Sequence, residues 1–67
     1  MKVFINEKES KVDNYCNIDK LLQSLTIVSY NGIAIAVNNE VISRNLWKDT
    51  FLKEDDNILI IEATKGG

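Results

Sequence analysis

Hydrophobic and polar positions alternate from the first residue: Met1, Val3 and Ile5 fall on one side and Lys2, Phe4 and Asn6 on the other. This period of two predicts a half-buried strand. Asn6-Glu7-Lys8 supplies a polar turn, and Ser10 to Asp13 is expected to return beside the first strand as a hairpin, with Val12 its main apolar contribution. From Asn17 the period changes. Ile18, Leu21, Leu22 and Leu25 recur at spacings of three and four, which predicts an amphipathic helix with Asn17 as its N-cap and Asp19, Lys20, Gln23 and Ser24 on the outer side. So short a helix is marginal alone in water and must dock on a sheet.

Asn31-Gly32 marks a turn, and the strand that follows, Ile33-Ala34-Ile35-Ala36-Val37, puts large residues on one face and alanines on the other. Asn38-Asn39 turns into a short strand at Glu40 to Ser43. Leu46, Trp47, Phe51 and Leu52 form an irregular apolar stretch expected to close an edge of the core, and Lys53 to Asn57 reads as a charged turn. Ile58-Leu59-Ile60-Ile61 is apolar on both faces, as a central strand flanked by neighbours should be. A hairpin, one helix and then further strands give an α+β fold in which a short helix covers one face of a mixed sheet of four to five strands.

At 67 residues the chain has room for one domain and none for a separate cofactor lobe. Its 45% hydrophobic and 27% charged residues are those of a globular protein, and its apolar runs fall far short of the ~20 residues that span a bilayer. No membrane association is expected. The opening residues lack the apolar core and cleavage site of a secretory signal, so a cytoplasmic setting is expected. Cys16, the single cysteine, allows no internal disulfide, which fits a reducing compartment. The net charge of −2, with scattered lysines and no histidine, lacks the footprint of a nucleic-acid binder and suits a protein partner.

Few side chains invite a catalytic assignment. Cys16 has no adjacent cation in sequence to lower its pKa, so a packing role is favoured over a persulfide carrier. Glu54, Asp55 and Asp56 lack the spacing of a calcium loop and read as a solvated turn. Trp47, among Leu46, Phe51 and Leu52, reads as core, and Lys65 as a solvated charge that helps steer the tail. Gly66-Gly67 stands apart. A glycine pair directly after a complete domain forms a thin lead that can pass close to another protein's walls, so the carboxylate of Gly67 is the expected reactive group and Gly66 its access. A free carboxylate is a poor electrophile, so any chemistry at it requires activation.

The order of elements, the block Gly32-Ile33-Ala34-Ile35-Ala36-Val37-Asn38-Asn39-Glu40-Val41-Ile42 with Arg44 and Trp47, and the terminal Gly66-Gly67 resemble the ThiS family of sulfur carriers over essentially the whole chain. Two positions depart from the family pattern: Ser43 stands where it commonly has proline, and Asp55 where it commonly has glycine. The resemblance implies a ubiquitin-like β-grasp domain over 1–63 and a flexible reactive tail over 64–67. It implies a protein co-substrate rather than an enzyme, with no cofactor or metal of its own. An adenylyltransferase of the ubiquitin-activating type, using ATP and magnesium, would activate Gly67. A sulfur-transfer protein or cysteine desulfurase would supply sulfur, and the thiocarboxylate would serve thiazole synthase in thiamine biosynthesis. Other β-grasp carriers, such as the small subunit of molybdopterin synthase, and ubiquitin-like modifiers share the terminus; the Asn38 to Trp47 block argues against the first.

Alternation also divides the sheet. With Val3, Ile5, Ile33, Ile35 and Val37 toward the helix, Phe4, Ala34 and Ala36 face away, and resemblance to ubiquitin-like folds places Leu59 and Ile61 with them. The expected result is a flat apolar patch on which the activating enzyme docks.

Overall fold

A computed structural model describes residues 1–25, 27 and 31–62. The chain begins with β1 (Lys2–Ile5) and β2 (Lys8–Lys11), followed by α1 (Ile18–Ser24), β3 (Ile33–Val37) and β4 (Glu40–Ile42). A 3₁₀ helix (Arg44–Asp49) and β5 (Asn57–Glu62) complete the order. The strands form one sheet in the order β2-β1-β5-β3-β4, in which β1 and β5 are parallel and all other neighbours antiparallel. With α1 packed on one face, this is the β-grasp arrangement expected above. Among the described residues no helix is long and apolar enough to cross a membrane.

Two tight turns fix the hairpins. Asn6 and Glu7, with φ of 49° and 70°, join β1 to β2, and Asn38 and Asn39, with φ of 51° and 70°, join β3 to β4. Left-handed backbone at both central residues matches the twist of the flanking strands, and asparagine tolerates it well. The first turn sets Ile5 opposite Lys8, so β2 occupies Lys8–Lys11 and not Ser10 to Asp13. Val12 lies just beyond the strand, half-buried, its N–H donating to the Met1 carbonyl at 2.9 Å.

Asn17 caps α1 as its position predicts: its Oδ1 accepts from the Lys20 N–H at 2.7 Å, while its Nδ2 donates to the Lys48 carbonyl at 3.1 Å. One carboxamide thus ties α1 to the 3₁₀ helix. Ile18, Leu21 and Leu22 are fully buried against Val3, Ile35 and Ile58. Leu25, expected on the same stripe, instead sits at the C-cap and is exposed, because the regular helix stops at Ser24.

The stretch after β4 is more regular and less buried than expected. In the 3₁₀ helix Trp47 turns inward and its Nε1 donates to the Ile42 carbonyl at 3.0 Å, and Leu52 is buried beyond it. Leu46 and Phe51 are about half exposed and do not close the core.

The acidic turn before β5 is not uniformly solvated. Asp56 is 8% exposed, and its carboxylate accepts from the Lys53 N–H at 2.7 Å and from Asn38 Nδ2 at 2.9 Å. Asn38 Oδ1 accepts in turn from the Asn57 N–H at 2.9 Å, so the β3–β4 turn is fastened to the start of β5. A buried carboxylate is retained here because it has such partners.

Both departures from the family pattern sit where backbone geometry gives them meaning. Ser43 has φ −60° and ψ 143°, the φ that proline fixes, and it follows a strand residue, which suits a position before proline. Asp55 has φ 67°, in the left-handed region where glycine carries no Cβ penalty. Its carboxylate also meets Lys2 Nζ at 3.3 Å in an exposed ion pair. Asp55→Gly and Asp55→Ala both delete that pair, so the difference between them reports the backbone alone. Urea unfolding should find the glycine variant more stable than the alanine variant by about 1 kcal/mol. Coincident unfolding curves would contradict a left-handed residue at this turn.

Candidate functional site

The sheet has two unlike faces. Toward α1 lie Val3, Ile35 and Ile58, all fully buried or nearly so, with Ile5, Ile33, Val37, Ile42 and Ile60 half-buried around them. Strand alternation sends Phe4, Ala34, Ala36, Leu59 and Ile61 to the opposite face. The register brings them together: Ala34 lies opposite Ile61 and Ala36 opposite Leu59. Leu59 and Ile61 are 47% and 49% exposed, Phe4 is half-buried, and Ala34 is exposed.

Sequence reasoning missed Val41. It pairs with Ala36 from the β4 side and is 74% exposed, more than Leu59 or Ile61. Its signal was the single alternation Glu40-Val41-Ile42, in which Ile42 is the inward residue. Ala36, only 7% exposed, lies between Leu59 on β5 and Val41 on β4.

Polar groups rim this surface on the β1 side. Lys2 Nζ lies 5.4 Å from the centroid of the Phe4 ring, within range of a cation–π contact. Hydrogen bonding to the Asp55 carboxylate, and its negative charge, hold the Lys2 ammonium above the ordinary lysine pKa. The cation at this edge is therefore permanent at neutral pH. Glu9 stands opposite Phe4 on β2.

The side chains considered for chemistry have structural positions. Cys16 is buried, its Sγ donating to the Asn17 carbonyl at 3.4 Å. Burial pushes its thiol pKa up, Asp13 adds to that, and Lys20 opposes it, so at neutral pH the group is a packed thiol and a poor nucleophile. Trp47 is core. Glu54 accepts from the Lys2 N–H at 3.2 Å, and Asp55 and Asp56 are engaged as described. Among the described residues no group of three or more His, Cys, Asp or Glu side chains is placed to hold a metal ion.

Lys65, Gly66 and Gly67 lie outside the described residues. What the structure gives is their root. β5, the central strand, is described through Glu62, which pairs with Ile33 at one end of the sheet. From there, five residues reach at most about 17 Å.

Comparison with known proteins agrees with this architecture. A crystal structure of a thiamine biosynthesis protein (ThiS) from Geobacter metallireducens superposes with a TM-score of 0.83 at 28% sequence identity, covering 100% of both chains. A solution NMR structure of a thiamine biosynthesis protein from the same organism gives a TM-score of 0.80 at 28% identity, covering 100% of this chain and 88% of the other. No curated protein matches the sequence. The model of the ThiS family matches residues 2–67, from the start of β1 through both terminal glycines. The chain belongs to the ThiS family.

Proposed function

We propose that this chain carries sulfur as a thiocarboxylate on Gly67 and donates it to thiazole synthase, for the thiazole ring of thiamine. Membership of the ThiS family supports the broader role, a sulfur carrier in thiamine biosynthesis. The observation that carries the finer reading is that the family match runs past Glu62, the last residue of β5, through Gly66-Gly67.

The chemistry follows from what a carboxylate lacks. Its negative charge repels nucleophiles and it has no good leaving group, so an activating partner must first join a carboxylate oxygen to the α-phosphorus of ATP, expelling pyrophosphate. A persulfide on a second partner then attacks the acyl carbon and AMP leaves. A thiol reductant cleaves the S–S bond of the resulting acyl disulfide, freeing the thiocarboxylate and returning the partner's thiol. ATP and magnesium belong to the adenylyltransferase. This chain contributes the carboxyl, a glycine lead narrow enough for an enclosed site, and a surface by which the partner holds it.

The open face serves as that surface. Ala34, Val41, Leu59 and Ile61 present exposed apolar area beside the root of the tail, with Phe4 half-buried at its β1 side and the short side chain of Ala36 buried between Leu59 and Val41. Docking there places the carboxyl within the tail's reach of the activating site. Holding the reactants together in this way replaces a bimolecular search by a local one.

Two experiments separate the tail from the face. Deletion of Gly66 and Gly67 should leave the thermal unfolding midpoint nearly unchanged and abolish the ATP–pyrophosphate exchange that the full chain supports with its matching adenylyltransferase. Exchange at the full-length rate by the deleted chain would remove the terminus from the mechanism. Phe4→Glu and Val41→Glu should each weaken binding to that enzyme, by about tenfold or more for Phe4, while circular dichroism stays that of the parent. Unchanged affinity in both would show that the partner docks elsewhere.

A further inference from the structure

Asn6 does more than form a turn. The amides and carbonyls of alternate β5 residues point toward β1: the Asp56 carbonyl accepts from the Phe4 N–H at 2.8 Å, and the Ile58 carbonyl accepts from the Asn6 N–H at 2.9 Å. Ile60 is next in this series, but β1 has no backbone to offer it. At Asn6 the backbone turns away with φ 49°, and strand pairing ends at Ile5 opposite Ile58.

The Asn6 side chain takes the vacant place. Its Oδ1 accepts from the Ile60 N–H at 2.8 Å and its Nδ2 donates to the Ile60 carbonyl at 3.3 Å. A carboxamide carries the same donor and acceptor as a peptide group, so it extends the β1–β5 ladder by one step after the strand itself has left. At Ile60, β5 is thereby held along both edges: Asn6 takes the Ile60 N–H and carbonyl, and on the other edge the pairing with β3 continues, with Ile60 opposite Ile35. Ile61 and Glu62, which follow, pair with β3 alone among the described residues. Asn6 therefore grips the last position at which β5 is fixed on both edges, seven residues before Gly67.

We propose that Asn6 is a positioning residue for the reactive tail. By fastening Ile60 it keeps the root of the tail extended and aimed, so that a partner seated on the open face receives the carboxyl from a fixed direction. The role rests on the carrier reading above. It predicts that loss of the carboxamide lowers turnover more than affinity, because Leu59, Ile61 and Val41 still present the docking surface while Ile60 at the root loses its fastening. The groups left by Asn6→Ala are near solvent, so water replaces the lost bonds and the domain stays folded.

The test compares the full-length parent, Asn6→Ala and Asn6→Asp. Amide hydrogen exchange at Ile60 should quicken in Asn6→Ala by about fivefold or more, with Leu22 and Ile35 unaffected. Asn6→Asp keeps the acceptor for the Ile60 N–H and should recover much of the protection. In ATP–pyrophosphate exchange with the matching adenylyltransferase, Asn6→Ala should lose about threefold or more in kcat with less than about a twofold change in KM. Asn6→Asp should lie between it and the parent. Unaltered exchange at Ile60, or faster exchange with parental kcat, would overturn the positioning role while the parent's turnover still upheld the carrier reading. A parent that supports no pyrophosphate exchange would overturn both.

Discussion

β5 lies between β1 and β3, parallel to one and antiparallel to the other, and without it the sheet separates into the hairpins β1–β2 and β3–β4. Such hairpins are marginal at best in water. The join is made at several levels. Ile58 is buried among Val3, Ile35 and the leucines of α1, Asp56 ties the entry of β5 to the β3–β4 turn, and Asn6 grips Ile60 near its exit. These contacts are distant in sequence, and closing them costs chain entropy that only simultaneous burial of the core repays. The strand that leads toward the C-terminus is thus the one on which the sheet depends.

On the proposed reading, this arrangement lets a small domain present a reactive end while its side chains serve structure and docking. Its apolar content is divided between two faces of one sheet. One face is spent on α1, Trp47 and Leu52, which make the core; the other is left open as Phe4, Ala34, Ala36, Val41, Leu59 and Ile61. The alanines cost the domain burial it could have had from larger residues, and on the proposed reading they lie on the face that the partner approaches. Cys16 and the acidic turn, the two features that invite a chemical reading, are both taken up by structure. The thiol is packed and its pKa raised, and the carboxylates fasten strand ends.

Much of this was legible in the sequence where one periodicity ruled. β3 has the predicted bounds, and α1 begins where Asn17 predicts, because alternation, helical spacing and a capping residue each leave a local mark. The same alternation placed Phe4, Ala34 and Ala36 on the open face. It could not divide β5, whose residues are apolar in both phases, and Leu59 and Ile61 were assigned by resemblance alone. The start of β2 was misplaced because Lys8-Glu9-Ser10-Lys11 has no apolar pattern; its register comes from the left-handed turn at Asn6-Glu7. Asp56 was read as solvated since burial of a charge depends on partners, Asn38 among them, that only the folded chain brings near. Val41 was missed for a similar reason: a three-residue strand has too little sequence to show which side is open.

The central claim is that the folded domain serves a chemical group at its terminus, and an intact-mass spectrum tests it most directly. Full-length chain incubated with its matching adenylyltransferase, ATP and a sulfur donor should gain the mass difference of one sulfur replacing one oxygen, localised to the C-terminal peptide. Attachment to lysines of other proteins without that gain, or no change with an enzyme that demonstrably binds and adenylylates the chain, would contradict it.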